Sequence, residues 1–454
     1  MKNSSPIQVA AGDLKPALTG LAKVVSRKPT TPILGSLKAE ILSREAILLT
    51  GTDLDFELRV RVKAEVSGKR DPFLVPLAGL QQLLRNRKAA ELIAIEPHAA
   101  LEVDKFPELA AFRASPMRLE PAARNGLLHA FECASSDATR YVLKGAYLDV
   151  SKQREKAHRI VGTDGRHLFS QNSIALPALK ESVIIPSHKV WSWREIQSCE
   201  SRWELRVSSK GKNGARMFRV DAPGWSLTGR CVEGNYPNYK QVLPPESNFK
   251  TKLTLKAEDL GSIAHTVRQL PGKKLNNQPM GMRIGETTVG LLTRESEEAS
   301  FVETGIPHAS QSGPEVTVYF NRDYLLKALK FGLTEVDICD DNSPIRFRNP
   351  DAGSLMIVMP LRPPAGLPNP DPKRPSIKKA PQQRQQRPAR PTADDPIEVA
   401  ASQLGQVRTA LKDAVAGLNG LLGNLRSVKK EKRQTDREIR SVRSTLRSLK
   451  KLDL

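Results

Sequence analysis

Long apolar runs are missing from this 454-residue sequence. No stretch approaches the roughly 18 consecutive apolar residues of a membrane span, and the first residues hold no signal-type apolar segment, so the chain reads as cytosolic with no membrane partner. Cysteine is scarce. Cys133, Cys199, Cys231 and Cys339 lie far apart with no Cys-x-x-Cys pair, which argues against a zinc site and against a disulfide framework. The seven histidines are scattered, and neither a Ser-His-Asp arrangement nor a phosphate-cradling glycine loop is evident. Asp53, Asp55, Asp164, Asp340 and Asp341 do not gather into the carboxylate cluster of a two-metal centre. The chain therefore reads as a non-enzyme with no cofactor and no metal. Aromatic residues make up only 5% and are not interleaved with the cations, which weakens a single-strand binder built on base stacking.

Positive charge is abundant. Lys and Arg number 71 against 49 Asp and Glu, a formal net charge of +22, which calls for a polyanionic partner, nucleic acid first. Hydrophobic residues at 39% support real cores, and the length allows about three domains.

The order of elements repeats. In residues 13–27, Leu14, Leu18, Leu21 and Val25 recur at helical spacing; strands follow, and FLVPLAGLQQLLRNRK reads as a strand running into a second helix. From about residue 119 the order returns: PAARNGLLHAFECASS as helix, RYVLKGAYLDV and HRIVGTDGRHLF as strands around a turn, and SVIIPSHKVWSWREI as strand into helix. It returns again from about residue 250, ending in VTVYFNRDYLLKALKFG as strand into helix. Gly51-Thr52-Asp53 and Gly162-Thr163-Asp164 lie 111 positions apart, too long a period for a solenoid. The fold class expected is α+β, three tandem copies of one domain, at residues 1–118 (shortened between Leu101 and Phe106), 119–247 and 248–363. The Asp164-Gly165 step is expected to make a tight turn at a sheet edge, presenting Arg166, His167, Leu168 and Phe169.

The paired helices carry cations on their non-core positions. They are Lys23, Arg27 and Lys28 with Arg85, Arg87 and Lys88 in the first copy, Arg124, Lys189 and Arg194 in the second, and Arg268, Lys273, Lys274, Lys327 and Lys330 in the third. A stripe of this kind touches phosphates and leaves base edges unread, so binding to double-stranded DNA should be sequence-independent and salt-sensitive.

PTTPILGSLKAEI with LLTGTDLDFEL, TRYVLKGAYLDV with TDG, SVIIPSHKV, GNYPNYKQVLP, FNRDYLLKAL and SLMIVMPLR, in that order, resemble the bacterial DNA polymerase III beta subunits, the sliding clamps, over about residues 1–363. The resemblance implies a head-to-tail homodimeric ring with sheets outside and paired helices inside, a cytoplasmic, nucleoid-associated protein that encircles duplex DNA and catalyses nothing. Its implied partners are DNA polymerase III alpha and core, the clamp loader and other clamp-binding peptides, tethered so that their local concentration rises.

In that family a partner peptide enters an apolar pocket between the second and third domains. The matching positions here are Leu143, Thr163, Gly165, Arg166, His167, Leu168, Pro237, Gln241, Val242, Asn321, Tyr324, Ile357, Val358, Met359, Pro360, Leu361 and Arg362. Met359, Leu361, Val358 and Leu168 are expected to form an adaptable apolar cleft. Arg166 precedes His167 where the family more often has the reverse, and Gln241 stands where a basic residue is common.

The resemblance stops at Pro363. Residues 364–397 are rich in Pro, Gln and Arg and read as a disordered linker; in 398–454, Leu404, Val407, Leu411, Ala414, Leu418, Leu421 and Leu425 open a heptad seam that reads as a basic coiled coil. Residues 364–454 hold 20 Lys and Arg against 9 Asp and Glu, a net of +11. This tail is expected to gate the pocket or add a DNA contact. The alternative function is a non-encircling basic DNA-binding or DNA-bridging paralogue that acts through the coiled coil.

Overall fold

The computed structural model describes residues 7–363 apart from 27, 69–70, 99–100, 152–156, 199, 201 and 212–214. The chain divides into a unit of residues 1–368 and another of residues 369–454. The expected linker and coiled coil, together with Arg27, lie outside the described residues.

The first repeat runs β1 (Ile7–Ala10), α1 (Ala11–Val24), β2 (Ser36–Ser43), β3 (Ala46–Thr52), β4 (Phe56–Lys63), β5 (Glu65–Val66), β6 (Phe73–Pro76), α2 (Leu77–Leu83) and β7 (Leu92–Ile95). The second runs β8 (Met117–Leu119), α3 (Pro121–Cys133), β9 (Gly145–Asp149), β10 (His158–Thr163), β11 (His167–Ile174), β12 (Val183–Pro186), α4 (Arg194–Gln197), β13 (Trp203–Val207), β14 (Met217–Ala222) and β15 (Trp225–Arg230). The third runs β16 (Thr251–Thr254), α5 (Leu260–Gln269), β17 (Pro279–Ile284), β18 (Val289–Thr293), β19 (Val302–Gly305), β20 (Ser310–Ser312), β21 (Val316–Asn321), α6 (Arg322–Lys330), β22 (Glu335–Ile338), β23 (Ile345–Asn349) and β24 (Ser354–Val358).

Two sheets cross from one repeat to the next. One has eight strands in the order β6-β2-β3-β4-β15-β14-β13-β8, the other nine in the order β12-β9-β10-β11-β24-β23-β22-β16-β20. The joints are antiparallel edge pairings, β4 on β15 with Leu58 opposite Leu227, and β11 on β24 with Phe169 opposite Met356. Three- and four-stranded sheets, β5-β1-β7 and β19-β18-β17-β21, complete the set. At each joint the edge strand of one repeat finds its backbone partners on the next, which leaves no unpaired ladder there.

The first repeat is short by one hairpin. After its second helix each of the other repeats places three strands, β13 to β15 and β22 to β24, whereas the first places only β7. Residues 96–116 hold no strand among those described and cross β2 and β4 instead: Glu108 pairs with Lys38, the Leu109 N–H donates to Glu57 Oε2 at 3.0 Å, and Phe106 is buried.

The helices follow the spacing of their apolar residues. In α1, Leu14, Leu18, Leu21 and Val24 are buried. Gly20 in the same helix is required by close approach, because a Cβ there would lie 2.5 Å from the Trp193 ring, whose Nε1 donates to Pro16 O at 3.1 Å. Trp193 also corrects one expected helix. WSWREI does not continue as a single helix: a 3-10 turn at Lys189–Ser192 and the four-residue α4 flank Trp193, held extended at ψ 133 as its indole wedges against α1. A second correction concerns RYVL, expected to open a strand. Residues 138–143 form 3-10 turns because the Asp137 carboxylate accepts the Thr139 N–H at 2.9 Å, and the strand starts only at Gly145. A third concerns the Asp164-Gly165 turn, which joins β10 to β11 in the interior of the nine-stranded sheet, since β24 covers the edge.

Candidate functional site

Residues 163–167 build the site outward from one carboxylate. Asp164 Oδ1 accepts from the Arg166 N–H at 2.8 Å, the His167 N–H at 3.0 Å and His167 Nδ1 at 2.9 Å. Thr163 Oγ1 accepts from the Gly165 N–H at 3.0 Å and donates to His167 O at 2.5 Å. Gly165 takes φ +87, the left-handed region open to glycine. Burial on its own would raise the Asp164 carboxyl, but hydrogen bonds from His167 and the turn's N–H groups hold it at about 2.

This closure separates two neighbours. Arg166 is exposed, while His167 is 3% exposed and stacks on Tyr324 of α6 with ring centroids 4.3 Å apart. His167 Nε2 lies 3.1 Å from Lys327 Nζ, which also donates to Glu132 O at the end of α3 at 2.8 Å. Burial is the main reason the imidazole loses its proton readily; Asp164 opposes that, and the Lys327 charge adds to it. With Nδ1–H given to the carboxylate, Nε2 is the lone pair that receives the ammonium. Lys330 Nζ sits 2.6 Å from the Glu132 carboxylate. His129 of α3, stacked on Phe331 at 4.1 Å, is pushed down to about 4 by burial and then by Lys330.

Strand alternation sorts the expected pocket residues onto two faces. Leu168 and Ile357, paired across β11 and β24, are buried with Val161 and Tyr239 in a small apolar cluster that also gathers Tyr147, Tyr236, Leu243 and Leu355. Val242 at 36% and Met359 at 38% exposure remain open to solvent, Pro360 and Leu361 are half-buried, and Pro237, Gln241 and Arg362 are exposed. Val358 is corrected: it belongs with Phe169 and Met356 to the main core on the other face, and does not line the cleft. Leu143 and Thr163 are buried, and Asn321 caps α6 by accepting the Asp323 N–H at 2.8 Å. The Met359 N–H donates to Arg166 O at 3.0 Å, and the Leu361 N–H to Tyr319 O at 2.6 Å. Sequence reasoning missed Arg140, whose Nη1 donates to Asp164 O at 3.2 Å, and Tyr141, 57% exposed; both sit in the segment read as strand. It also missed Asp164 as the organiser and Glu132 as the α3 anchor.

Of the expected DNA-facing cations, Lys28, Arg85, Lys189, Arg194, Arg268, Lys273 and Lys274 are exposed, and Arg124 is half-buried. Lys23 donates to Ser192 Oγ at 2.9 Å, and Arg87 pairs with Glu91 at 3.1 Å. Lys327 is half-buried at the α3–α6 junction, where it donates to Glu132 O, and Lys330 is exposed and pairs with the Glu132 carboxylate. Among the described residues, no three His, Cys, Asp or Glu side chains gather where a metal ion could be held.

No family model matches the chain. It is 25% identical to the beta sliding clamp of Proteus mirabilis over 375 residues, covering 77% of this chain and 97% of that protein. It is 26% identical to that of Pseudomonas putida over 377 residues, with the same coverage. Among solved structures, the DNA polymerase beta subunit of Streptococcus pyogenes superposes with TM-score 0.64 at 18% identity, over 79% of this chain and all of that one. The beta sliding clamp of Caulobacter crescentus gives 0.63 at 22% identity, over 79% of this chain and 99% of that one. The fold is that of the sliding clamps, and the chain is a divergent relative of the bacterial beta sliding clamps, the beta subunits of DNA polymerase III.

Proposed function

We propose that the protein is a DNA sliding clamp: a head-to-tail homodimeric ring of three domains per subunit, 1–118, 119–247 and 248–363, that encircles duplex DNA and tethers polymerase and other partners by peptides seated over Leu168, Ile357, Val242 and Met359. The observation that carries this reading is the joint itself. Twice within one chain, an edge strand of one repeat pairs antiparallel with the last strand of the next. By the same rule β19, the outer strand of the third repeat, is the edge offered to a second copy. In the first repeat the corresponding last strand is missing, so β7 receives it; Leu92 on β7 and Val302 on β19 are 50% and 58% exposed. Arg268 near the end of α5, Lys189 in the 3-10 turn before α4, and Lys28 and Lys273 in the loops that follow α1 and α5 then face the duplex, supplying sequence-independent phosphate contacts. The protein supplies positioning, and its partners supply the chemistry.

Cysteines placed at Leu92 and Val302 test the ring. Oxidation should give a covalently closed dimer that survives a denaturing wash on circular duplex. Loss of the cross-linked species from circles in that wash would rule out encirclement.

A further inference from the structure

The α3–α6 junction contains a cation with no solvent-facing task. Lys327 is half-buried, held by one main-chain carbonyl, Glu132 O at 2.8 Å, and one imidazole nitrogen, His167 Nε2 at 3.1 Å. That imidazole is the last residue of the turn whose Arg166 carbonyl holds the Met359 N–H, and it lies opposite Val358 in the strand register. A continuous path of polar contacts therefore runs from the end of α3, through α6, to the backbone of Met359. We propose that Lys327 is a positioning residue for the cleft: clamped between α3 and a neutral His167, it fixes the 163–167 turn against Met359, and protonating His167 releases it. The consequence for partner peptides rests on the clamp reading; the coupling itself does not.

Charge bookkeeping around the ring supports a one-way device. His167 faces Asp164 from its own turn, Lys327 and the Tyr324 ring from α6, and, through Lys327, the Glu132 end of α3. Cys133, next on α3, is a buried thiol pushed up to about 12, so it stays neutral. Arg140 lies against the far side of the turn, on Asp164 O. A proton added at Nε2 removes the only acceptor that the ring offers Lys327 and sets imidazolium against ammonium. Asp164 can balance one of those charges and is already committed to three hydrogen bonds.

The test follows the ε-methyl resonance of Met359 and the ring resonances of His167 in the full-length chain labelled at methionine methyl and histidine, between pH 8 and pH 5. Expected is a Met359 shift that shares the midpoint of His167, below the ordinary histidine range. Lys327→Met should move both midpoints up together by removing the repelling charge, Lys327→Arg should restore them, and Asp164→Asn should move them down. His167→Gln, which keeps a neutral polar group, should leave Met359 indifferent to pH. A Met359 resonance that ignores the titration of His167, or midpoints unchanged in Lys327→Met, would overturn the coupling. A cleft that binds no peptide would overturn the clamp reading and leave these titrations as they are.

Discussion

Two adjacent residues show how local chemistry decides direction. Arg166 and His167 differ by one position in a β-hairpin, and the Asp164 carboxylate, by holding the N–H groups of both, sends one outward and buries the other. The glycines of the same motif have unlike tasks. Gly165 supplies positive φ, whereas Gly162 is needed because a Cβ there would sit 2.1 Å from Ala130 O of α3. Gly162→Ala should therefore destabilise by about 1–3 kcal/mol, the usual range for overpacking, as read by chemical denaturation. The buried histidines set a pH dependence. His129 has its folded value lowered from 6.5 to about 4, so the unfolded chain binds the proton first as pH falls. Its stabilising contribution is complete above the unfolded value and is lost between about 6.5 and about 4, up to about 3 kcal/mol. His129→Phe should flatten the urea midpoint across that window. The turn was legible in the sequence as Asp-Gly between apolar runs. The burial of His167 was not, because it depends on Tyr324 and Lys327, some 160 residues away.

At the scale of elements, apolar periodicity located α1, α3, α5 and α6 and most strands, because each buries a face whose spacing is written in the chain. What it could not give is where one repeat ends against another. The short α4 owes its break to Trp193, whose ring occupies the space over Gly20 of α1, a tertiary contact that local propensity does not encode. Trp193→Ala should cost about 3–5 kcal/mol by opening a cavity between the first two repeats, measured as a shift in the denaturant midpoint. The apolar run proposed for the peptide site was legible only as a run: Leu168 and Ile357 share one face of the sheet while strand alternation turns Val358 to the other, so a run of apolar residues in sequence is two surfaces in space.

For the whole molecule, the return of one order of elements, first after 111 positions and then again from about residue 250, pointed to the α+β architecture, and the missing hairpin was visible as a shortening after Leu101. The sheets show what the shortening means: three strands around β1, against eight and nine in the sheets that join repeats. A joint two strands short would bury less backbone and apolar surface, so the proposed dimer should dissociate more readily on dilution than a joint of the internal kind would, as sedimentation velocity would show. Exposed Lys273 and Lys274 provide the electrostatic check. Lys273→Glu with Lys274→Glu should weaken duplex binding equally on all sequences and reduce the salt slope by about one per lost phosphate contact. The central claim, encirclement, is tested most directly by loading the protein on nicked circular duplex, linearising half the sample and measuring what stays bound at moderate salt. A clamp remains on circles and runs off linear ends. Equal loss from both forms would mean ordinary electrostatic binding and would contradict the account.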